Sequence, residues 1–143
     1  MRNNKMKAAI FDLDGTLALL TTRKPYGEEQ ARCIEDSCRE PLAEIARAFD
    51  TLGWAILLVS GRFGTYRHET MTWLKENNIP WDSLYMREPN DQRKDDIVKE
   101  EIYNENIEPY YDVQIVFDDR LKVCKMWERQ GLFVANVGNC CDF

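Results

Sequence analysis

Five short runs of apolar, branched or aromatic residues alternate with stretches of helical period, and this alternation constrains the fold more than any single residue does. The runs are Ala8–Leu13, Ala55–Val59, Leu84–Met86, Val113–Phe117 and Phe133–Val137. Each is mainly apolar rather than alternating, the pattern of a strand buried on both faces. Four helices are predicted between them. Pro41 suits a first helical turn, Leu42, Ile45, Ala46, Phe49 and Leu52 share a face, and Gly53 ends the segment. The second helix is expected over about Arg67 to Asn77, with Met71 and Leu74 on its apolar side. The third is expected over about Lys94 to Glu105, with Ile97, Val98 and Ile102 inward. The fourth is expected over about Leu121 to Gln130, with Val123, Cys124 and Trp127 inward and Gly131 closing it. Such alternation predicts an α/β fold with a parallel sheet of about five strands and right-handed crossovers. The 143 residues suit one domain over residues 1–143. One irregular stretch, Ala18 to Arg39, carries Pro25-Tyr26-Gly27; loops of that length are usually functional or mobile.

Composition narrows the function. Nineteen Lys+Arg face 25 Asp+Glu, a net charge of −6, so a general nucleic-acid coat is excluded and any phosphate contact must be local. The apolar run Ala55–Val59 is five residues, six with Trp54 before it, against about 20 needed to span a bilayer. Met1–Lys5 leads straight into the first strand without a signal-peptide core, so a cytoplasmic protein with no membrane association is expected. The five cysteines, Cys33, Cys38, Cys124, Cys140 and Cys141, are odd in number and form no Cys-x-x-Cys pair. Free thiols are expected, without a disulfide framework or a zinc site. The single histidine, His68, is expected to help start a helix, and Trp54, Trp73, Trp81 and Trp127 to pack.

Chemistry concentrates at the strand ends. The first strand ends in Asp12-Leu13-Asp14-Gly15-Thr16, the second in Ser60-Gly61-Arg62, and the fourth in Asp118-Asp119-Arg120. In a parallel sheet these ends share one edge, where ligands bind. Folding gains nothing from gathering like charges, so a hard divalent cation with oxygen ligands is expected there. Asp12, at a strand terminus, can be both metal ligand and nucleophile. Gly15 permits a sharp turn that swings Asp14 over the same place, its main-chain carbonyl toward the metal and its carboxyl toward a leaving group. Lys94 stands where a helix start disfavours a cation, and a contact with bound phosphate is one explanation of its place. A solvated surface lysine is the other. Arg23 and Arg62 are placed to offer guanidinium forks to phosphate oxygens, with surface ion pairs as the alternative.

In that order, Asp12-Leu13-Asp14-Gly15-Thr16, Ser60, Lys94 and Asp118-Asp119 resemble the motifs of the haloacid dehalogenase (HAD) phosphohydrolase superfamily. The resemblance implies a Rossmann-like, three-layer fold without a sizeable cap domain, one Mg2+ ion and an aspartyl-phosphate intermediate. It implies Asp12 as nucleophile, Asp14 as general acid/base, Ser60 and Lys94 on the transferring phosphoryl group, and Asp12, Asp14, Asp118 and Asp119 at the metal. Lys7 to Tyr26, Val59 to Arg62, Arg93 to Ile102, Asp118 to Arg120, Met126-Trp127 and Asp142-Phe143 are similar to the phosphatase domains of bacteriophage polynucleotide kinase-phosphatases. That likeness implies removal of 3′-phosphates from DNA or RNA ends. It places Thr16, Arg23, Gly61, Arg62 and a supporting acid, Asp91, around the substrate, with a separate kinase or ligase as a further partner. The loop after Arg62 is shorter than in those proteins. No Gly-x-x-x-x-Gly-Lys-Ser/Thr occurs, so 5′-phosphorylation by a phosphate loop is not expected.

Neither the stretch from Asp14 to the first helix nor the one from Ser60 to Lys94 has room for a lid domain, and an open site can admit the end of a polymer. Two other functions fit the same residues: a phosphatase for free nucleotides or other small phosphomonoesters, and a non-catalytic end-binding subunit.

Overall fold

The computed structural model describes residues 4–138. In chain order the elements are β1 (Met6–Phe11), β2 (Ala18–Leu19), a 3-10 helix (Gly27–Glu35), β3 (Ser37–Cys38) and α1 (Glu40–Thr51). There follow β4 (Ala55–Phe63), α2 (Arg67–Glu76), β5 (Ser83–Arg87), α3 (Asp95–Ile102), β6 (Tyr111–Asp118), α4 (Leu121–Arg129) and β7 (Val134–Asn136). Ala8–Phe11 carry no polar side chain and are buried on both faces, which suits β1 to the middle of the sheet. The order is β5-β4-β1-β6-β7, and all four pairings are parallel.

Successive strand residues feed opposite faces. Ala9, Phe11, Ile56 and Leu58 pack with Leu42, Ala43 and Ala46 of α1 and with Trp73 and Leu74 of α2. Ala8, Ile10, Leu57 and Val59 pack with Val123, Met126 and Trp127 of α4 and with Tyr103 and Ile107 beyond α3. The result is the expected three-layer α/β architecture. The chain winds one way from β1 to β5 and the other way through β6 and β7, so the topology switches at β1.

Several expectations are corrected. Ile97 is half exposed while Val98 and Lys99 are buried, so the inner face of α3 is turned by one residue from the apolar reading. Helix α3 is shorter than expected and continues as a wider π-type turn over Tyr103–Ile107. Leu52 and Met71 are exposed. The stretch Ala18 to Arg39, expected to be irregular, holds the antiparallel β2–β3 pair as well as the 3-10 helix. Among the described residues Cys33, Cys38 and Cys124 are free thiols; Cys140, Cys141 and Asp142-Phe143 lie outside them. No described helix is long and apolar enough to cross a membrane.

Candidate active site

Because β4, β1 and β6 are adjacent and parallel, their carboxyl ends meet at the topological switch, where open α/β sheets bind ligands. Asp12 is fixed there by its own N–H, which donates to the Phe117 carbonyl at 3.0 Å. The chain then reverses. The N–H groups of Thr16 and Ala18 return to the Leu13 carbonyl at 3.0 and 2.9 Å, through Gly15 at φ +83°. Any Cβ at Gly15 would overlap the Asp119 carboxylate, so glycine is required for conformation and for space. The reversal lets the Thr16 hydroxyl donate to Asp12 Oδ2 at 3.0 Å. Arg39, at the start of α1, steadies the turn from outside by donating to the Thr16 and Gly15 carbonyls at 2.8 and 3.0 Å.

Ser60, Gly61 and Arg62 reach the same edge by a bulge. Val59 pairs with Tyr85 and Phe63 with Arg87, so the residues between exceed those opposite them, and a bulge re-aims side chains. The Ser60 hydroxyl oxygen accepts the Arg62 N–H at 3.1 Å. A Cβ on Gly61 would run into the Asp95 carboxylate.

Two ion clusters are built on this frame. In the first, carboxylate oxygens of Asp12, Asp118 and Asp119 lie within 4.8 Å of one another. One ammonium serves them: Lys99 Nζ donates to Asp12 Oδ1 at 2.9 Å and to Asp118 Oδ2 at 3.0 Å. Asp118 also accepts the Trp127 indole N–H at 3.2 Å and the Asp119 and Arg120 backbone N–H groups at 2.8 and 3.3 Å. Burial, then repulsion from Asp118, hold the Asp12 carboxyl well above the usual carboxylate range despite Lys99. Burial likewise raises Asp119. For Lys99, burial opposes the charge, but Asp118, Asp12 and Asp95 outweigh it and push the pKa up. An all-oxygen donor set carrying surplus negative charge fits a hard divalent cation.

In the second cluster, Asp14 Oδ1 accepts from Arg23 Nη2 at 2.7 Å and from Arg62 Nε and Nη2 at 3.0 and 2.7 Å. Both arginines also bind Asp36. All three hydrogen bonds to Asp14 fall on Oδ1, and Oδ2 has no partner among the described residues. The guanidiniums expected to grip phosphate are therefore turned onto Asp14 and Asp36, and both side chains are fully buried. Asp14 is held by arginine and stands apart from the metal-type carboxylate cluster, so only its main-chain carbonyl remains for the metal role expected of it.

One expected site residue is displaced. Lys94 is the exposed N-cap of α3 and contributes its carbonyl to that helix. The lysine brought to Asp12 is Lys99, more than a turn further on, where the helix faces the sheet. Asp91 lines the cavity that opens over Asp12, and its carboxylate is engaged there by Arg93 at 2.8 Å, whose hydrogen bonds lower its pKa to about 2. The acid beside Lys99 is Asp95, one helical turn before it, which ion-pairs with Arg87 and, at 2.6 Å, with Arg120. Burial opposes the Asp95 charge, but Lys99, Arg120 and Arg87 prevail and lower its pKa. Asp36, Arg39, Arg87 and Trp127 are further residues that the sequence did not single out as site groups. Only Lys99 carried a signal: a lysine in i, i+4 register with Asp95, on the side of the helix that holds Val98 and Ile102.

Above these clusters opens a cavity of about 970 Å³ whose lining includes Asp12, Asp14, Gly15, Gly61, Lys99 and Asp119.

Comparison with known proteins gives the family and the fold. The family described as "Polynucleotide kinase PNKP phosphatase domain" matches residues 6–143. A "Putative bifunctional polynucleotide kinase/RNA ligase" of Autographa californica nuclear polyhedrosis virus is 34% identical over 142 residues, 94% of this chain and 19% of that protein. A structure of the Pnkp1/Rnl/Hen1 RNA repair complex superposes with a TM-score of 0.89 at 38% identity, over 96% of this chain and 45% of that one. A class C acid phosphatase from Bacillus anthracis with tungstate bound shares the fold, with a TM-score of 0.63 at 16% identity, over 82% of this chain and 53% of that one. The chain thus spans about a fifth of the viral relative and less than half of the RNA-repair chain.

Proposed function

The chain belongs to the family of polynucleotide kinase PNKP phosphatase domains, and we propose on that footing that it removes 3′-phosphates from DNA or RNA ends with Mg2+. The observation that carries the chemistry is the Asp12 carboxylate, held between Lys99 and Thr16 at the floor of an open cavity. An Asp12 oxygen attacks phosphorus, the P–O bond to the 3′ carbon's oxygen breaks, and an aspartyl-phosphate forms. Asp14 Oδ2, free of the arginines, gives the departing 3′-oxygen its proton. It then takes a proton from the water that hydrolyses the acyl phosphate, releasing inorganic phosphate. Arg23 and Arg62 fix the Asp14 carboxyl through Oδ1. Ser60, whose oxygen already accepts a backbone N–H, keeps its O–H for a phosphoryl oxygen. Lys99, in the role expected of Lys94, orients Asp12 and offsets charge.

Asp12, Asp118 and Asp119, with the Asp14 carbonyl, would hold the Mg2+ ion. When bound it supplies neutralisation of the transferring phosphoryl group. The relatives' names join kinase, ligase and RNA repair, and a kinase or ligase acting on the same ends is the protein partner expected here.

The test is phosphate release from 3′-phosphorylated DNA and RNA oligomers, with Mg2+ and with chelator, beside nucleoside monophosphates. Mg2+-dependent release that favours the oligomers supports the assignment. Equal or faster release from mononucleotides overturns the polynucleotide substrate.

A further inference from the structure

The cavity above Asp12 is far larger than a phosphate. Its volume of about 970 Å³ lies at the upper end of ordinary ligand pockets, about 300–1,000 Å³. Its lining is also divided in character. Carboxylates and Lys99 make the reacting part, whereas Leu19, Leu20, Pro25, Tyr26 and Phe63 add an apolar part that the phosphoryl chemistry does not use. Tyr26 is 66% exposed, and its ring stacks on no other ring among the described residues.

This apolar part is a built feature. Tyr26 precedes Gly27, whose φ of +69° turns the chain into the 3-10 helix. The Gln30 side chain, only 3% exposed, ties the two apolar segments together. Its Nε2 donates to the Pro25 carbonyl at 3.2 Å, and its Oε1 accepts the Phe63 N–H at 2.9 Å. A buried amide satisfied at both ends fixes the spacing of the segments it joins. Three residues before Tyr26, Arg23 is pinned to Asp14 and Asp36. The backbone on either side of Tyr26 is thereby tied to the catalytic acid, through Arg23, and to Phe63, through Gln30.

We infer that Tyr26 and Phe63 form a stacking subsite for the terminal nucleobase of the substrate, held at fixed spacing by Gln30. This rests on the nucleic-acid reading above and names the residues that make a polymer end a better substrate than a bare phosphomonoester. A nucleoside 3′-phosphate places an apolar-faced base one sugar away from the reacting phosphorus, the combination of chemistries that this cavity offers. Stacking on aromatic rings is tolerant of base identity, so all four terminal bases are expected to serve.

The test uses the full chain and two 3′-phosphorylated oligonucleotides that differ only in whether the terminal sugar carries a base. For the unaltered protein the abasic end is expected to show a KM higher by roughly 5- to 150-fold, the stacking contribution per base, with kcat within about twofold. In Tyr26→Ala the ratio of the two KM values is expected to fall close to one, with Phe63→Ala reducing it less. Tyr26→Trp, which keeps a stacking face, is expected to retain it. Tyr26 is a surface side chain, and unchanged melting of its variants confirms that the fold is intact. If the unaltered protein acts equally on both ends, or if the ratio survives in both alanine variants, the subsite is overturned and the 3′-phosphatase reading stands. If no 3′-phosphorylated oligonucleotide is hydrolysed, the 3′-phosphatase reading falls and takes the subsite with it.

Discussion

Two buried ion clusters begin two residues apart in sequence, at Asp12 and at Asp14, and they differ in charge balance. The Asp14 cluster sets two carboxylates, Asp14 and Asp36, against two guanidiniums, Arg23 and Arg62. The Asp12 cluster sets three carboxylates against the single ammonium of Lys99. A balanced cluster completes itself on folding, and its work is to hold one carboxyl still. An unbalanced one is a folding liability unless something positive arrives. The difference separates the group that is positioned from the place that reacts.

The largest effect expected from breaking this comparison is on turnover. Asp12→Asn keeps the shape and removes the nucleophile, so kcat for phosphate release is expected to fall at least about 10⁴-fold, about 5 kcal/mol of barrier. Melting of the metal-free protein should not fall, since the variant removes a charge from the overloaded cluster. Residual turnover above a tenth of the starting rate would mean that another group attacks phosphorus.

Next in size is the pair of lysines. Lys99→Met leaves Asp12 and Asp118 without their cation in a buried place, a loss of about 4 kcal/mol by the usual cost of breaking such a pair. Saturating Mg2+ is expected to restore part of it. Lys94→Met, at an exposed N-cap, is expected to stay within about 0.5 kcal/mol. Denaturant melts of the two variants decide the matter; equal losses would contradict the burial of Lys99.

Removing one acid from each cluster should then act in opposite directions. Asp36→Asn leaves two buried guanidiniums with one carboxylate and is expected to destabilise by about 3 kcal/mol. Asp119→Asn relieves repulsion on Asp12 and is expected to stabilise the metal-free protein by about 1 kcal/mol while lowering its affinity for Mg2+. Calorimetry in chelator reads the first pair of signs, and titration with Mg2+ the second. Destabilisation by both variants would show that the Asp12 cluster is balanced without a metal.

The two clusters also differ in how much of them the sequence disclosed. Asp12, Ser60 and Asp118-Asp119 were legible because each follows an apolar run, and a parallel sheet sends all such ends to one edge. Asp14 and Gly15 were legible from their spacing. Lys99 was not, because α3 buries a lysine on its inner face, and an apolar count over Ile97, Val98 and Ile102 puts the helix one residue out of phase. A helix start disfavours a cation at Lys94 by only a small amount, whereas two buried carboxylates attract Lys99 directly. The pairing of Arg23 and Arg62 with Asp36 was hidden for a different reason. It depends on where the 3-10 helix and β3 bring Asp36, in a stretch without apolar periodicity. The apolar wall at Leu19, Tyr26 and Phe63 was hidden likewise, since it joins residues more than thirty positions apart in sequence.

The smallest expected effect is the most specific to the contrast. Burial and the neighbouring carboxylates raise Asp12, and burial raises Asp119, above the ordinary value of 3.8. Between 3.8 and the raised values the folded protein therefore holds more protons than the unfolded chain, so stability falls as pH rises through that window, by at most about 1.4 kcal/mol per pH unit for each proton. Burial raises Asp36 as well, giving a slope of the same sign from the balanced cluster. Lys99 adds nothing in this window: its raised pKa makes its contribution complete below the ordinary lysine value of 10.5 and lost only as pH climbs through the raised one. Asp95, lowered, gives the opposite slope, but only below 3.8. Mg2+ separates the two clusters. It competes with protons for Asp12 and Asp119 and cannot reach Asp36 behind its arginines, so saturating Mg2+ should flatten the first contribution and leave the second. Melting temperatures measured from pH 4 upward, in chelator and in Mg2+, are expected to diverge as pH rises. Parallel curves would mean that no cation enters the Asp12 cluster, and would remove the physical reason for gathering three carboxylates around one lysine.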